Sequence, residues 1–373
     1  MLKKYSTLLI LLVLAVLLTL LTDGIFISPR NLTNLTRQIS INGILAVGMT
    51  LVILISGIDL SVGSVVALAG IVVGISQAQW GWGALGFWGT MLSTLLAIVV
   101  GIACGFFNAY WMAKYNITSF ITTLGMMVIA RGLALIFSGG IAIAPMGSDL
   151  QVIGNGYIPP VASLILMGSV AVGWLYTLWQ KSLLKTPLFL SQKTGQISFS
   201  ILFTLIGLLS LSYVFFSYRG IPIPVFILAL VAYAGHFILN RMTIGRYIFA
   251  MGGNLEASRL CGVPIPKMIF FVFMLMGGLA GLSGLILTSR LNGAIPTAGN
   301  LFELDAIAAV VIGGTSLMGG VGTIGGSLLG AFIIGTLNNG MSLMNVPTFY
   351  QMVIKGFIII LAVLFDSRSK QQK

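Results

Sequence analysis

Long apolar segments separated by short polar ones run along the whole chain. A helix needs about 20 predominantly apolar residues to cross a bilayer, and eight segments approach or exceed that length without interruption. They are residues 8–22, 88–112, 117–138, 160–179, 200–216, 222–240, 266–288 and 350–366. Each is predicted to form one transmembrane helix.

Two further apolar stretches, 40–77 and 304–338, are too long for one crossing and are interrupted by glycine and polar residues. Each is predicted to form a pair of helices, either two full spans or a re-entrant hairpin, so the chain returns to the side that it left. The pattern therefore predicts an all-α polytopic membrane protein with about twelve transmembrane segments, two of the regions being broken by glycine. Residues 1–373 are expected to form a single transmembrane domain.

The composition agrees with a chain that lies in lipid. Hydrophobic residues make up 58% of the 373 positions and charged residues only 7%, whereas soluble domains carry about 25% charged residues. The net charge of +12 would suit nucleic acid if the cations formed a basic patch, but they lie between apolar blocks. The expected surroundings are the lipid bilayer, and no nucleic-acid partner is expected.

The positions of the cations predict how the chain is oriented. With the N-terminus in the cytoplasm, 13 of the 19 Lys and Arg residues fall in cytoplasmic segments and 4 in outer segments. The first group is Lys3, Lys4, Lys114, Lys181, Lys185, Lys193, Arg241, Arg246, Arg259, Lys267, Arg368, Lys370 and Lys373; the second is Arg30, Arg37, Arg219 and Arg290; Arg131 and Lys355 lie within spans. Cytoplasmic loops carry the excess of Lys and Arg in membrane proteins, so both termini are predicted to be cytoplasmic. The first apolar run lacks a small-residue cleavage site before Asp23 and is expected to remain as the first span.

The first broken stretch contains a carboxylate, Asp59, among small and polar residues. A charged Asp at membrane depth costs roughly 2.5–3.5 kcal/mol, so it normally faces a cavity or a partner. The neighbours expected to break the backbone or cap the next helix are Gly57, Gly63, Ser61 and Ser64. Asp59 is either a helix cap at a kink or part of a substrate cavity, and the two interpretations are compatible.

The second broken stretch begins with two acids, Glu303 and Asp305, two residues apart. No base, nucleophile or set of metal ligands accompanies them, so the pair is interpreted as an N-terminal electrostatic cap and no metal site is expected. Glycine pairs follow at 313–314 and 319–320, with Thr315 and Ser316 between them. Close helix packing and pore lining both remain open for this block.

A polar connection at about residues 241–267 joins two predicted spans and is expected in the cytoplasm. Asn254 is a plausible N-cap for a short helix that contains Glu256 and Arg259 and ends at Gly262, before Pro264. Such a helix suits the docking of a peripheral partner, and a solvated connecting helix is the alternative. The chain has no phosphate-binding Gly-x-x-x-x-Gly-Lys-Ser/Thr motif, so any ATP chemistry must belong to another subunit.

The sequence Glu256-Ala257-Ser258-x-x-x-Gly262 resembles the Glu-Ala-Ala-x-x-x-Gly coupling motif of permeases in ATP-binding-cassette importers. Ser258 replaces the second alanine of that motif, and the Ile-x-Leu-Pro that follows in many members is absent. Four blocks are similar to the ribose/xylose/galactose branch of the family and occur in its order. They are Gly252–Gly262, Ser56–Ser64, Leu304–Ser316 and Asn338–Met341.

The resemblance implies a transport subunit rather than an enzyme, with ATP bound by a partner and no cofactor of its own. The implied partners are a two-domain ATP-binding subunit, a periplasmic or extracellular sugar-binding protein and a second copy of this chain, in the bacterial inner membrane. The residues expected to couple to the ATPase are Asn254, Glu256, Ala257, Ser258 and Gly262. The candidate pore or gating residues are Asp59, Ser61, Ser64, Glu303, Asp305, Thr315 and Ser316.

An additional helical pair at about 160–216 distinguishes this chain from shorter members of the branch. Together with Asp23-Gly24 and Val346–Phe349, it is similar to the xylose-transporting members. D-xylose is therefore the expected cargo, with ribose or galactose as alternatives. An ion-coupled secondary sugar transporter is the main rival mechanism, because Asp59 could titrate or bind Na⁺.

Overall fold

A computed structural model describes residues 2–183 and 212–371 of the chain. These residues are mostly helical, as the apolar segments predict. The helices are α1 (Leu2–Leu21), α2 (Pro29–Leu54), α3 (Val62–Gly74), α4 (Gly86–Tyr115), α5 (Ser119–Ser138), α6 (Ser148–Asn155), α7 (Pro160–Leu183), α8 (Ile223–Arg241), α9 (Thr243–Gly253), α10 (Leu255–Leu260), α11 (Ile265–Leu291), α12 (Phe302–Ile312), α13 (Ile324–Leu343) and α14 (Thr348–Gln371). Two short strands, β1 (Tyr157–Ile158) and β2 (Ile221–Pro222), pair in antiparallel fashion.

Six of the described helical segments are long and apolar enough to cross a membrane. They are residues 29–54, 62–79, 82–115, 119–138, 223–241 and 265–291, and α1 and α7 contain shorter apolar runs. The prediction of a helical, multi-pass membrane protein is confirmed, and the total of twelve segments stays a prediction. Of the additional pair, α7 forms the first member, residues 212–216 are helical, and most of the second member and of loop 181–193 lies outside the described residues.

Helix α2 lies at the centre of the bundle. Every residue from Ile39 to Leu54 is buried, because the helix is surrounded by α8, α11, α12 and α13. A helix that is apolar on all sides is covered either by other helices or by lipid, and around α2 the cover comes from other helices. The first break follows α2 directly; Asp59 and Ser61 in it are buried, whereas Ser56 is exposed.

Helix α2 begins at Pro29, well before residue 40, where the apolar stretch starts. Ser28 caps it by accepting a hydrogen bond from the Asn31 amide. The polar residues of its first turns stay within a helix because their hydroxyls donate to carbonyls one turn earlier, as Thr33 does to Pro29 and Ser40 to Thr36, both at 2.7 Å. Hydropathy alone therefore underestimates the length of this helix.

Both glycine-broken stretches form a helix, a break and a second helix, as predicted. The first breaks at residues 55–61, between α2 and α3, and the second at 313–323, between α12 and α13. Helix α12 has 11 residues and is about 16 Å long, half of a hydrocarbon core of about 30 Å. It is therefore a half-helix, too short for a full crossing by itself, and the re-entrant arrangement of the second stretch stays a prediction.

The residues at the first break differ from the expected ones. Gly63 lies inside α3 and breaks nothing, whereas Ser56 adopts the left-handed conformation, with φ 61°. Non-glycine residues are uncommon in this region. The Ser56 hydroxyl donates to the Met318 carbonyl at 2.7 Å and so connects the first break to the second.

The bundle of described helices has two ends, which we name after the residues that they carry. The basic end carries Lys114, Arg241, Arg246, Arg259 and Lys267, and the tryptophan end carries Trp80, Trp82 and Trp88. At the basic end the Ser119 hydroxyl accepts from the Ile58 amide at 3.1 Å. At the tryptophan end Ile143 pairs with Ala294. The count of cations predicts that the basic end faces the cytoplasm.

The two natural cysteines allow a direct test of this orientation. Cys261 is exposed at the basic end and Cys104 is buried. A membrane-impermeant maleimide is expected to label inside-out vesicles and not intact cells, since only Cys261 is reachable. The control is Cys261→Ser, which should abolish the labelling of vesicles. Labelling of intact cells that Cys261→Ser removes would contradict the predicted orientation.

Candidate functional site

The segment between α8 and α11 forms two short helices at the basic end. Asn254 caps α10, its side-chain oxygen accepting from the Ala257 amide at 2.9 Å. The Ser258 hydroxyl donates to the Asn254 carbonyl at 2.8 Å, and Ser258 is buried. Gly262 follows with φ 80°, a conformation that glycine adopts without strain. The predicted N-cap and helix end are confirmed.

The outer face of α10 is exposed and mixed in character. Leu260 is 88% exposed, and the side chain of Glu256 is 73% exposed. Arg259 pairs with Glu256 at 3.3 Å, but an ion pair this exposed adds little stability. Leu260 was not predicted from the sequence, because six residues are too few for periodicity to show which side faces outward. The face presents an apolar residue beside charged ones, as a protein-docking surface does.

Three backbone segments meet at the end of α9, just before α10 in the chain, and we call this contact the backbone junction. It joins Leu54–Ser56 at the end of α2, Gly252 at the end of α9, and Met318–Gly320 in the second break. The Gly320 amide donates to the Leu54 carbonyl at 3.0 Å. A Cβ on Gly252 would stand 1.8 Å from that carbonyl oxygen and 2.3 Å from the Gly320 nitrogen. Only glycine fits at position 252 without displacing one of the breaks.

Thr315 and Ser316 belong to the loop that forms this junction. Thr315 is fully buried, and the Ser316 hydroxyl accepts from the Met318 amide at 3.2 Å. They lie at the basic end, beyond the C-terminus of α12, whereas Glu303 and Asp305 lie in its first turn. The structure therefore separates these two candidate pore residues from the other candidates on the same stretch.

The Asp59 carboxylate is held at the start of α3. Its Oδ1 accepts from the Ser61 hydroxyl at 2.6 Å and from the Ser61 amide at 2.9 Å. The Asn108 side chain donates to the same hydroxyl at 3.2 Å. Ser61 thus binds Asp59 and makes no side-chain cap of its own helix, which corrects the expected capping role. Ser64 lies in the first turn of α3 and is buried.

The unwound backbone around Asp59 is satisfied by helix α5. The Thr123 hydroxyl accepts from the Leu60 amide at 3.2 Å, and its proton is shared between the Ser119 carbonyl at 2.8 Å and the Ile58 carbonyl at 3.2 Å. Buried peptide groups without partners are costly in a membrane protein. These side-chain contacts therefore allow the chain to leave helical geometry at the first break.

The start of helix α3 and the start of the half-helix α12 meet inside the bundle. A Cβ on Gly63 would stand 2.1 Å from the Gly299 carbonyl oxygen and 2.4 Å from a carboxylate oxygen of Glu303. Arg131, on α5, donates to the carbonyls of Pro296 and Ala298 at 2.6 and 2.9 Å. Glu303 thus lies beside the positive end of α3 as well as in the first turn of α12, and helix dipoles stabilise a carboxylate at both places.

Asp305 points away from Glu303 and forms the centre of a second polar group. Its Oδ2 accepts from the Lys355 ammonium at 3.0 Å. Asn338 and Asn42 donate to the same oxygen at 3.4 and 3.5 Å. We call these four residues the Asp305 cluster. In the sequence, Lys355 is the residue that points to this cluster, because a cation within a predicted span requires a partner.

The chain is similar to known permeases along most of its length. Residues 31–363 match the family described as branched-chain amino acid transport system / permease component. The xylose transport system permease protein of Escherichia coli is 42% identical over 94% of this chain and 88% of its own length. The corresponding protein of Haemophilus influenzae is 39% identical over 100% of this chain and 98% of its own.

A ribose permease is nearly as similar. The ribose import permease protein of Escherichia coli is 37% identical over 99% of this chain and 95% of its own length. No solved structure matches the chain significantly. The chain therefore belongs to the permease family of branched-chain amino acid transport systems, in the branch that contains the xylose and ribose permeases of ATP-binding-cassette importers.

Proposed function

We propose that this chain is the membrane subunit of an ATP-driven importer that moves a monosaccharide, D-xylose, into the bacterial cytoplasm. The named xylose relatives at 39–42% identity support the cargo, and the ribose relative makes ribose the first alternative, ahead of galactose. The chain lacks a phosphate-binding motif, so a two-domain ATP-binding subunit supplies the energy. A sugar-binding protein delivers the cargo, and a second copy of the chain completes the pathway across the inner membrane.

The observation that carries the proposal is the backbone junction. The same segment that exposes Leu260 and Glu256 toward a partner touches both helix breaks through Gly252. A movement imposed on α10 reaches the first break at Leu54 and the second break at Gly320 without an intervening flexible side chain. Alternating access needs such a link between a motor and the unwound segments.

The two groups of candidate residues then have different roles. Asn254, Ser258 and Gly262 shape and anchor α10, while Glu256, beside Ala257, is available to the ATP-binding subunit. The starts of α3 and α12 are surrounded by Asp59, Ser61, Ser64 and Glu303. Asp305 forms its own cluster. The junction loop contains Thr315 and Ser316. We assign opening and closing of the pathway to the two breaks.

An ion-coupled sugar transporter is the second candidate, motivated by the buried Asp59 carboxylate. Two observations favour ATP instead. The carboxylate already accepts two hydrogen bonds from Ser61, and α10 presents a docking face that an ion-coupled transporter does not require.

Uptake by proteoliposomes that contain the permease, ATPase and binding protein is expected to depend on ATP and to persist after ionophores collapse the ion gradients. Uptake that stops with the gradients would refute the proposal, and a panel of labelled pentoses and hexoses identifies the cargo.

Reversing the charge of Glu256 tests the docking of the motor. Glu256→Lys is expected to reduce ATP-driven uptake more than about tenfold, which corresponds to about 1.4 kcal/mol, because the exposed carboxylate is expected to meet the ATP-binding subunit. Folding should not change, since the side chain is largely exposed. Uptake, ATPase activity and the amount of inserted protein are measured together. Full uptake by this variant would contradict the assigned coupling role.

A further inference from the structure

The Asp305 cluster gathers side chains from four helices around one carboxylate. Asp305 belongs to α12, Lys355 to α14, Asn338 to α13 and Asn42 to α2. All of the hydrogen bonds given above converge on the Oδ2 atom. The cluster is therefore a polar site between helices that the sequence places far apart.

Two acceptors in the cluster have no partner. The Oδ1 atoms of Asn42 and Asn338 are buried and accept no hydrogen bond from any residue that the structure describes. Asn42 is 8% exposed and Asn338 is 7% exposed. The orientation of both amides is determined by Asp305, because a carboxylate only accepts and the NH₂ group must face it. Their carbonyl oxygens are thus directed away from the carboxylate.

Unpaired buried acceptors are costly, so each needs a donor. The neighbouring pair, Asn31 and Asn339, shows the contrast. Each of these amides donates to the other at 3.0 Å. Asn108, which donates to Ser61, also has an unpaired Oδ1. Unpaired amide oxygens therefore occur at the Asp305 cluster and beside Asp59, and not at the Asn31–Asn339 pair.

The charges of the cluster select the class of ligand. Lys355 repels a cation and Asp305 repels an anion, and the pair together is neutral. The cluster offers two amide acceptors, a second carboxylate oxygen and further N–H donors on the Lys355 ammonium. A neutral molecule with adjacent hydroxyl groups matches this set, because each hydroxyl both donates and accepts.

The exposed part of the cluster lies on α14. The side chain of Lys355 is 21% exposed and that of Asp305 only 4%. A partly exposed ammonium within the membrane is costly against lipid and normally faces a bundle interior or a water-filled cavity. Lys355 is therefore the member of the cluster that a polar ligand would meet first.

We propose that the Asp305 cluster binds hydroxyl groups of the transported sugar, with Asn42 and Asn338 accepting and Lys355 donating hydrogen bonds. The proposal rests on the proposed function and names the part of the permease that contacts the cargo. The sugar is held there by a few hydrogen bonds, so binding is weak and release to the cytoplasm is unhindered.

Direct binding of D-xylose to the permease alone tests the proposal. Purified permease in nanodiscs, without the ATPase or the binding protein, is titrated with labelled D-xylose. Asn42→Ala and Asn338→Ala are each expected to weaken binding about three- to tenfold, the effect of one hydrogen bond. Asn339→Ala is the matched control, since it removes an adjacent amide that does not contact Asp305, and it should bind like the wild type.

The other outcomes overturn the proposal. They are no binding of D-xylose by the wild type at the highest soluble concentration, equal binding by all variants, or equal weakening by Asn339→Ala. Thermal stabilisation by NaCl but not by xylose, lost in Asn338→Ala, would instead identify a cation site. ATP-driven uptake by the complete wild-type complex is measured separately, so a failure of the proposed function is distinguishable from a failure of this site.

Discussion

Gly252→Ala is expected to abolish coupled uptake, whereas Gly253→Ala is expected to leave it near the wild-type level. The added Cβ at position 252 would stand 1.8 Å from the Leu54 carbonyl oxygen and 2.3 Å from the Gly320 nitrogen. Both are backbone atoms, so no side-chain rotation relieves the clash. At position 253 an added Cβ meets nothing within 4 Å. The pair of variants therefore compares the same chemical change on adjacent residues.

The clash should push the docking segment away from both breaks at once. Overpacking of this kind costs about 1–3 kcal/mol, which a bundle of this size is expected to survive. We expect ATPase activity of the assembled complex to remain while sugar uptake falls more than about tenfold, a loss of about 1.4 kcal/mol. Uptake, ATPase activity and the melting temperature are measured for both variants.

Ser56→Ala is a second test of the junction that adds no volume, so a loss of coupling in this variant would not be due to a steric clash. Ser56→Ala removes the hydroxyl that donates to the Met318 carbonyl at 2.7 Å and loosens the junction without a clash. It is expected to lower the ratio of sugar transported to ATP hydrolysed, by less than Gly252→Ala does. If Gly252→Ala and Gly253→Ala couple equally well, the junction does not transmit movement.

Removing one member of the Asp305–Lys355 pair is expected to cause the largest loss of stability. The two charged groups are 3.0 Å apart in the wild type. Asp305→Leu leaves the Lys355 ammonium without a partner, and Lys355→Met leaves the Asp305 carboxylate without one. Breaking a buried ion pair typically costs about 3–5 kcal/mol, because the remaining charge is uncompensated. Each single variant should therefore melt well below the wild type and transport little.

The double variant Asp305→Leu/Lys355→Met separates structure from function. Replacing both charges by apolar groups is often neutral for stability, so its melting temperature should recover most of the loss. Uptake should stay low if the pair also contacts the sugar. Recovery of both stability and uptake would show that the pair is only structural. Single variants as stable as the wild type would contradict the buried ion pair itself.

Several local features were predictable because they depend on neighbours in sequence. The cap at Asn254, the short helix through Arg259 and the turn at Gly262 involve contacts within eight residues. Capping residues and glycine act over that range. The breaks in 40–77 and 304–338 were predictable for the same reason, since their length and glycine content exclude one continuous span.

Other features depended on contacts that the sequence does not reveal. Thr315 and Ser316 were grouped with Asp305 as pore candidates, yet α12 separates them from it. Ser61 was expected to cap α3, but a carboxylate two residues earlier competes for its hydroxyl. Ser56, and not a glycine, takes the left-handed conformation at the end of α2, and its hydroxyl donates to a carbonyl 262 residues away. Such pairings exist only after the helices have packed.

Composition and periodicity were enough to determine that this chain is a helical membrane protein with two interrupted regions and a capped polar segment. Apolar length and local capping are properties of short stretches, so they can be read from the residues in order. The tertiary structure alone decided that Gly252 touches both breaks and that Lys355 meets Asp305. These contacts join segments that are distant along the chain, and hydropathy carries no information about which distant segments meet.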